Sequence, residues 1–337
     1  MPFGTLVGHH TTLTLLARAA AAGTLPPSLL FAGPDGVGKR AAALALAQAM
    51  NCPTPVAASA SMPVDACGEC AVCRRIVRLV HPDVTVVEPG ETGAIKIDVV
   101  REEIRKTAFK PFEGRRRVIV FDQAENLVEE AQHALLKTLE EPPAGTALVL
   151  VTSQPDRLLA TVRSRCPAVR FGPLPAEDVA RWLMERHGVA EPKARAIAAV
   201  SRGSLTAARA AAEQDVDAVR ASAERVLTAL ADTRDPRVRL QAAADLVGKG
   251  KGSGARERES LAIHLHSLAS LIRDLVAVGT GSSAVVNADL TAWLTRLAPS
   301  FGVDRSIAGF ATVTRALEAL ERNASPKIVA DWVVVNL

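Results

Sequence analysis

The sequence predicts an α/β domain with a mostly parallel, helix-covered sheet, followed by an all-helical half. Three observations carry this. The apolar run Ser28 to Gly33 enters a glycine-rich loop that opens directly into an Ala/Leu-rich helix, Arg40 to Met50. Four further β-rich runs follow at Val84 to Val87, Val118 to Phe121, Ala147 to Thr152 and Ala168 to Phe171, several of them separated by helical patterns. Strands alternating with helices form parallel sheets covered on both faces. After about Gly172 no strand pattern remains before the last few residues.

Composition agrees with that division. A chain of 337 residues is long enough for two or three domains, each with its own core. A hydrophobic fraction of 48% and a charged fraction of 23% are those of a soluble globular protein. Aromatics at 3% and the absence of Tyr favour helices packed on Ala and Leu over a β-rich fold. The net charge of +4 permits a nucleic-acid partner without arguing for one. No apolar run is expected to approach the roughly 20 residues that span a bilayer, and Met1 to His10 lacks a secretory pattern. The expectation is a cytoplasmic protein with no membrane partner and with reduced cysteines.

Along the chain, Thr11 to Ala22 reads as a helix ended by Gly23 and the Pro26-Pro27 pair. Leu127, Ala131, Ala134, Leu135, Thr138 and Leu139 recur at helical spacing between Glu125 and Glu141, and Pro142-Pro143 stops that helix. Arg101 to Arg117 carries seven basic and three acidic residues and reads as a solvated helix and turn. Gly172 to Pro175 is a hinge-like break, followed by a short helical segment to about Ala212. The rest reads as helices interrupted by Gly248 to Glu257, a basic, glycine-rich, solvated connection. No internal repeat is found.

Four of the five cysteines cluster. Cys67, Cys70 and Cys73 are each separated by two residues, and Cys52 lies upstream. Three thiolates at that spacing occupy three corners of a tetrahedron without strain, and Cys52 can supply the fourth. Thiolates suit zinc, and four protein ligands make a closed, structural site. An iron–sulfur cluster and unligated thiols are the alternatives, the first lacking its usual fourth nearby Cys followed by Pro. Cys166 stands apart and reads as a small buried residue.

Gly33 to Arg40 reads as a phosphate-binding loop until its last residue. Gly33, Gly36 and Gly38 retain the loop and Lys39 its charge, but Arg40 stands where a magnesium-binding hydroxyl belongs. Guanidinium has donors and no acceptor lone pair, so it cannot coordinate a cation. Asp122 ends an apolar strand as the second metal-site element, and the next position is neutral Gln123, which cannot serve as a base. The pattern predicts a phosphate site that has lost hydrolysis, with ATP binding left open. The alternative for Gly33 to Lys39 is a tight turn with no ligand.

Several stretches together resemble the bacterial clamp-loader subunits of the AAA+ class, those of DNA polymerase III. They are Leu25 to Lys39, the cysteine module, His81 to Val84, His133 to Pro143 and Ser164 to Cys166, and the resemblance is strong from about Leu25 to Phe171. It implies an AAA+ domain over 1–172 with a zinc module at about 51–75, a helical lid over 173–212 and an oligomerising helical collar over 213–337. The departures at Arg40 and Gln123, and Thr206 where the motor subunits carry a nucleotide-reading arginine, point to the non-hydrolysing branch. The resemblance further implies that Arg165 is an arginine finger reaching a neighbour's ATP site, and that Thr152 and Ser153 match the polar sensor position. Implied partners are the gamma/tau motor subunits, the delta subunit and, through the complex, the sliding clamp and primer-template DNA. Such a chain is a component of the DNA-directed DNA polymerase holoenzyme without being catalytic alone. Two rivals are a divergent ATP-hydrolysing motor subunit and a zinc-finger nucleic-acid-binding module.

Overall fold

Among the described residues, β1 (Ser28–Ala32), β2 (Val84–Val87), β3 (Arg117–Phe121), β4 (Thr146–Thr152) and β5 (Ala168–Arg170) form one parallel sheet, ordered β2-β3-β4-β1-β5. The computed structural model describes residues 1–57, 64–90, 92–213, 216–233, 235–247, 254–282, 285–322 and 324–337. Part of the cysteine module (58–63) and most of the basic connection (248–253) therefore lie outside the described residues. The chain divides into two compact units, Met1–Asp178 and Val179–Leu337.

In the first unit α1 (His10–Ala22) leads to β1 (Ser28–Ala32), α2 (Lys39–Asn51), α3 (Ala71–Val77) and β2 (Val84–Val87). Then come α4 (Ile97–Thr107), β3 (Arg117–Phe121), α5 (Glu129–Glu140), β4 (Thr146–Thr152), α6 (Ala160–Arg163) and β5 (Ala168–Arg170). All five predicted strands are present within a residue or two of their expected bounds. Side chains alternate between faces along a strand, and the two cores follow that period. Val118 and Val120 of β3 and Ala147, Val149 and Val151 of β4 pack with Leu13, Leu16 and Leu46 of α1 and α2. Ile119, Phe121, Leu148 and Leu150 face the other way, onto Val100, Leu135, Leu139 and Val162 of α4 to α6. All seven residues of β4 are buried, as expected of a strand with neighbours on both edges and helices on both faces.

The basic segment after α4 is braced from beneath. The buried Asp83 carboxylate accepts backbone N–H bonds from Phe112, Glu113 and Gly114 at 2.7 to 2.9 Å, and Arg117 Nη2 lies 3.2 Å away. Burial alone would raise this carboxyl's pKa. The three N–H donors and the guanidinium outweigh burial and hold it down to about 2.

The second unit is helical: α7 (Ala176–His187, which starts just before the boundary), α8 (Glu191–Val200), α9 (Leu205–Glu213), α10 (Val216–Asp232), α11 (Pro236–Val247), α12 (Gly254–Gly279), α13 (Thr291–Glu321) and α14 (Pro326–Asn336). Its core joins Leu227, Leu246, Leu265, Leu268, Phe301, Val313 and Val333. Gly302, at φ 66° and ψ 163°, divides α13 into two helices. One expectation is corrected here. Ser260–Gly279 of α12 is long and apolar enough, by length and composition, to cross a membrane. The Arg273-Asp274 pair hides that run from a reading for uninterrupted apolar residues. Within this unit the segment is a core helix: Leu261, Leu265, Leu268 and Ile272 are buried. Asp274 is also buried, and accepts from the Val286 and Asn287 backbone N–H groups at 3.1 and 2.7 Å.

A folded pKa below the unfolded one stabilises above the unfolded pKa, and that stability is lost as pH falls through the folded pKa. Asp83→Asn is therefore expected to cost about 2 kcal/mol at neutral pH. In urea unfolding, the gap to wild type stays constant from pH 7 to pH 5 and narrows from about pH 4 towards pH 2.

Candidate functional site

The loop after β1 gathers its groups at the carboxyl end of the sheet, next to where the chain order reverses around β1. Gly33 donates its N–H to Thr152 O at 3.2 Å while Phe171 N–H bonds Ala32 O at 2.8 Å, so the loop leaves β1 pressed between β4 and the end of β5. A Cβ on Gly33 would lie 1.9 Å from Phe171 O, so no other residue fits. Gly36 and Gly38 sit at φ 74° and 101°, in the left-handed region that favours glycine. Gly38 caps the N-terminus of α2, whose free N–H groups and dipole favour an anion. Lys39 is buried and donates Nζ to Gly33 O and Pro34 O, both at 2.6 Å. Burial lowers its pKa, opposed by Asp35, Glu125 and Asp122.

Arg40 is where the loop departs from the P-loop pattern. Its Nη1 pairs with Glu88 Oε1, just past β2, and with Asp122 Oδ2 at 3.2 Å, just past β3. Burial raises the pKa of Asp122, and the Arg40 guanidinium is the largest opposing influence. Gln123 follows at φ 51° and accepts through Oε1 from Asn126 Nδ2 at 3.3 Å.

Two acidic residues of the site were not anticipated. Glu88 directly follows the β2 run, and that position at a strand's carboxyl end was its available signal. Glu125, three residues after Asp122, is buried; its Oε1 accepts from Ser153 Oγ at 2.6 Å and Ser153 N–H at 3.2 Å. Its other oxygen, Oε2, has no partner. Thr152 Oγ1 accepts from Gln154 N–H at 3.0 Å, so the pair at the end of β4 caps the strand and holds Glu125.

Arg165 stands apart from this pocket's side-chain network, on the surface after α6. Its Nε and Nη2 pair with Glu140 Oε1, and its Nη1 donates to Thr161 O at 3.0 Å. In the second unit Thr206 is exposed in the first turn of α9, where Ser204 Oγ accepts from Ala207 N–H at 3.2 Å.

The four clustered cysteines converge as their spacing predicts: their Sγ atoms all lie within 4.8 Å of one another. A tetrahedral zinc with bonds of about 2.3 Å places its sulfurs roughly 3.8 Å apart, and Cys52 and Cys67 stand at 3.6 Å. Backbone N–H groups of Cys67, Cys70 and Cys73 each point at the Sγ of another cysteine of the set at 3.4 Å. Thr54 Oγ1, then backbone N–H groups, bring the Cys67 thiol down to about 6, whereas burial pushes Cys73 up. Four thiolates packed together need a cation to offset their mutual charge, so the donor set fits zinc. Gln48, on α2, donates to Cys73 O at 2.8 Å and ties the module to the helix that follows the glycine-rich loop. Cys166 packs in the core beside Leu135 and Val162, away from the quartet.

Residues 8–175 match the family model described as "DNA polymerase III, delta subunit". The delta' subunit of DNA polymerase III from Pseudomonas aeruginosa is 40% identical over 156 residues, covering 46% of this chain and 45% of that protein. The tau subunit from Escherichia coli is 32% identical over 219 residues, 64% of this chain and 33% of that protein. The delta' subunit from Escherichia coli is 29% identical over 275 residues, 80% of this chain and 76% of its own length. The match thus spans a third to under half of the first two relatives.

The cysteine quartet yields its own test. Protein prepared without chelator is expected to hold about one zinc and no iron by elemental analysis, and Cys67→Ser to retain less than half an equivalent with a lowered Tm. Wild type with less than half an equivalent would contradict the site.

Proposed function

Because the chain belongs, through residues 8–175, to the clamp-loader subunit family of DNA polymerase III, we propose that it acts as a delta-prime-type stator. In this reading it binds into the loader without hydrolysing ATP and serves a neighbour's site. The relatives include both delta' and tau subunits, so the choice between branches rests on this chain's own residues.

The observation that carries the reading is the Arg40–Asp122–Glu88 cluster. Hydrolysis at a P-loop requires a cation on the phosphate oxygens, held by a hydroxyl and an acid, and a group that orients or deprotonates water. Here the hydroxyl is replaced by a donor-only side chain, the acid is engaged by that side chain, and the neighbouring base position is the amide Gln123. Lys39 and the glycine loop retain the shape of an anion site without the rest of its chemistry.

Arg165 supplies the second half of the reading. It sits on the surface, paired to Glu140 of the same chain. A half-exposed surface pair is worth about 0–1 kcal/mol, so releasing the guanidinium towards a neighbour's phosphates costs little. A finger supplied in trans stabilises charge that develops on the transferred phosphoryl group. The helical segments 173–212 and 213–337 would act as lid and collar, and zinc would hold the cysteine module. Motor subunits, the delta subunit, the clamp and primed DNA would be its partners, in the cytoplasm.

One observation favours the motor alternative. The unpartnered Oε2 of Glu125 leaves a buried carboxylate oxygen close enough to bear on Lys39, and a carboxylate there is a candidate base. Phosphate release by the zinc-replete full chain, with ATP and Mg2+, separates the two. The stator reading expects turnover no greater than that of Lys39→Ala. Turnover well above that background, lost in both Lys39→Ala and Glu125→Gln, would establish the motor reading instead.

A further inference from the structure

A divalent cation bound by oxygen ligands needs carboxylates with free lone pairs, and Mg2+ in phosphate sites takes one or two of them. The ends of β2 and β3 bring two carboxylates together, from Glu88 and Asp122, and one guanidinium nitrogen already lies against both. Asp122 is nearly buried, its side chain 11% exposed, and Arg40 is partly covered at 38%. The remaining charges that bear on Asp122 are Glu88, which opposes its ionisation, and Lys39, which favours it. Lys39 is itself held by the Gly33 and Pro34 carbonyls. Arg40 is therefore the cation left to balance the carboxylate pair.

We propose that the Arg40 guanidinium is the resident counter-cation of this pocket, standing in for the divalent ion that a P-loop site takes from solution. The substitution does more than delete a ligand. It fills the cation's place with a positive charge that cannot dissociate, so Glu88 and Asp122 are unavailable to Mg2+ whether or not nucleotide is present. Any polyphosphate that enters the loop does so without metal. A divalent-cation site is latent in this chain, and side chain 40 alone closes it. The inference rests on the non-hydrolysing reading above and gives it a physical cause.

The test uses Mn2+ with no nucleotide, so it is read independently of ATP turnover. Turnover by wild type would remove the stator reading; metal binding decides this one. Water-proton relaxation is titrated with Mn2+ on the zinc-replete full chain, comparing wild type, Arg40→Ser and the neutral, longer Arg40→Gln. Arg40→Ser is expected to gain one Mn2+ site at least about tenfold tighter than any in wild type, a difference of about 1.4 kcal/mol. Asp122→Asn in the same background is expected to abolish it. Arg40→Gln carries the comparison should the serine variant fold poorly, since it keeps a polar side chain with the same Cβ–Cδ stem while removing the charge. Equal Mn2+ affinity in wild type and the folded neutral variants would overturn the proposal, as would a gained site that survives Asp122→Asn.

Discussion

The carboxylate pair at the carboxyl end of the sheet is held by one guanidinium, that of Arg40. Glu88 and Asp122 reach it from adjacent strands, β2 and β3, paired in register from Val84 with Val118 to Val87 with Phe121. Parallel strands in register bring the residues that follow them to the same edge, so the two carboxylates meet whether or not a cation is present. Without one, a nearly buried Asp122 would face a like charge. Arg40, at the first turn of α2, supplies the cation from within the chain and reaches both partners, although β4 lies between β1 and β3 in the sheet.

Shape and chemistry are separately maintained in this site. Gly33 is fixed by packing: β5 runs so close that a single added carbon would overlap Phe171 O. That constraint belongs to the fold, and it persists with or without catalysis. Position 40 lies in the regular first turn of α2, so its side chain can change while the loop keeps its path. The loop keeps its glycines, held by packing, while Arg40 stands where the P-loop pattern has a hydroxyl.

Much of this was legible in the sequence, for local reasons. The strands announced themselves as short apolar runs, the loop as glycines at fixed offsets before a helix, and the cysteine cluster as three thiols spaced by two residues with Cys52 upstream. What was not legible is long-range pairing. Arg40 and Glu88 are 48 residues apart, Glu125 and Ser153 28, and Arg165 and Glu140 25. Each depends on which strands become neighbours, which one sequence does not reveal. Asp83 beneath the Phe112 to Gly114 turn is the same kind of case, where an acid near a strand end serves backbone donors some 30 residues on. In α12 the limit was different: Asp274 looked like an interruption of an apolar run, but the Val286 and Asn287 N–H groups satisfy it inside the core.

In the proposed stator reading, this chain has given up its own phosphate chemistry while Arg165 completes a neighbour's. The most direct measurement is the DNA- and clamp-stimulated ATPase of a loader reconstituted with Arg165→Ala in this subunit, with assembly checked by gel filtration. The account predicts an intact complex whose rate falls by at least one site's share, a finger being worth about 10³–10⁵ at the site it serves. An intact complex with an unchanged rate would contradict it.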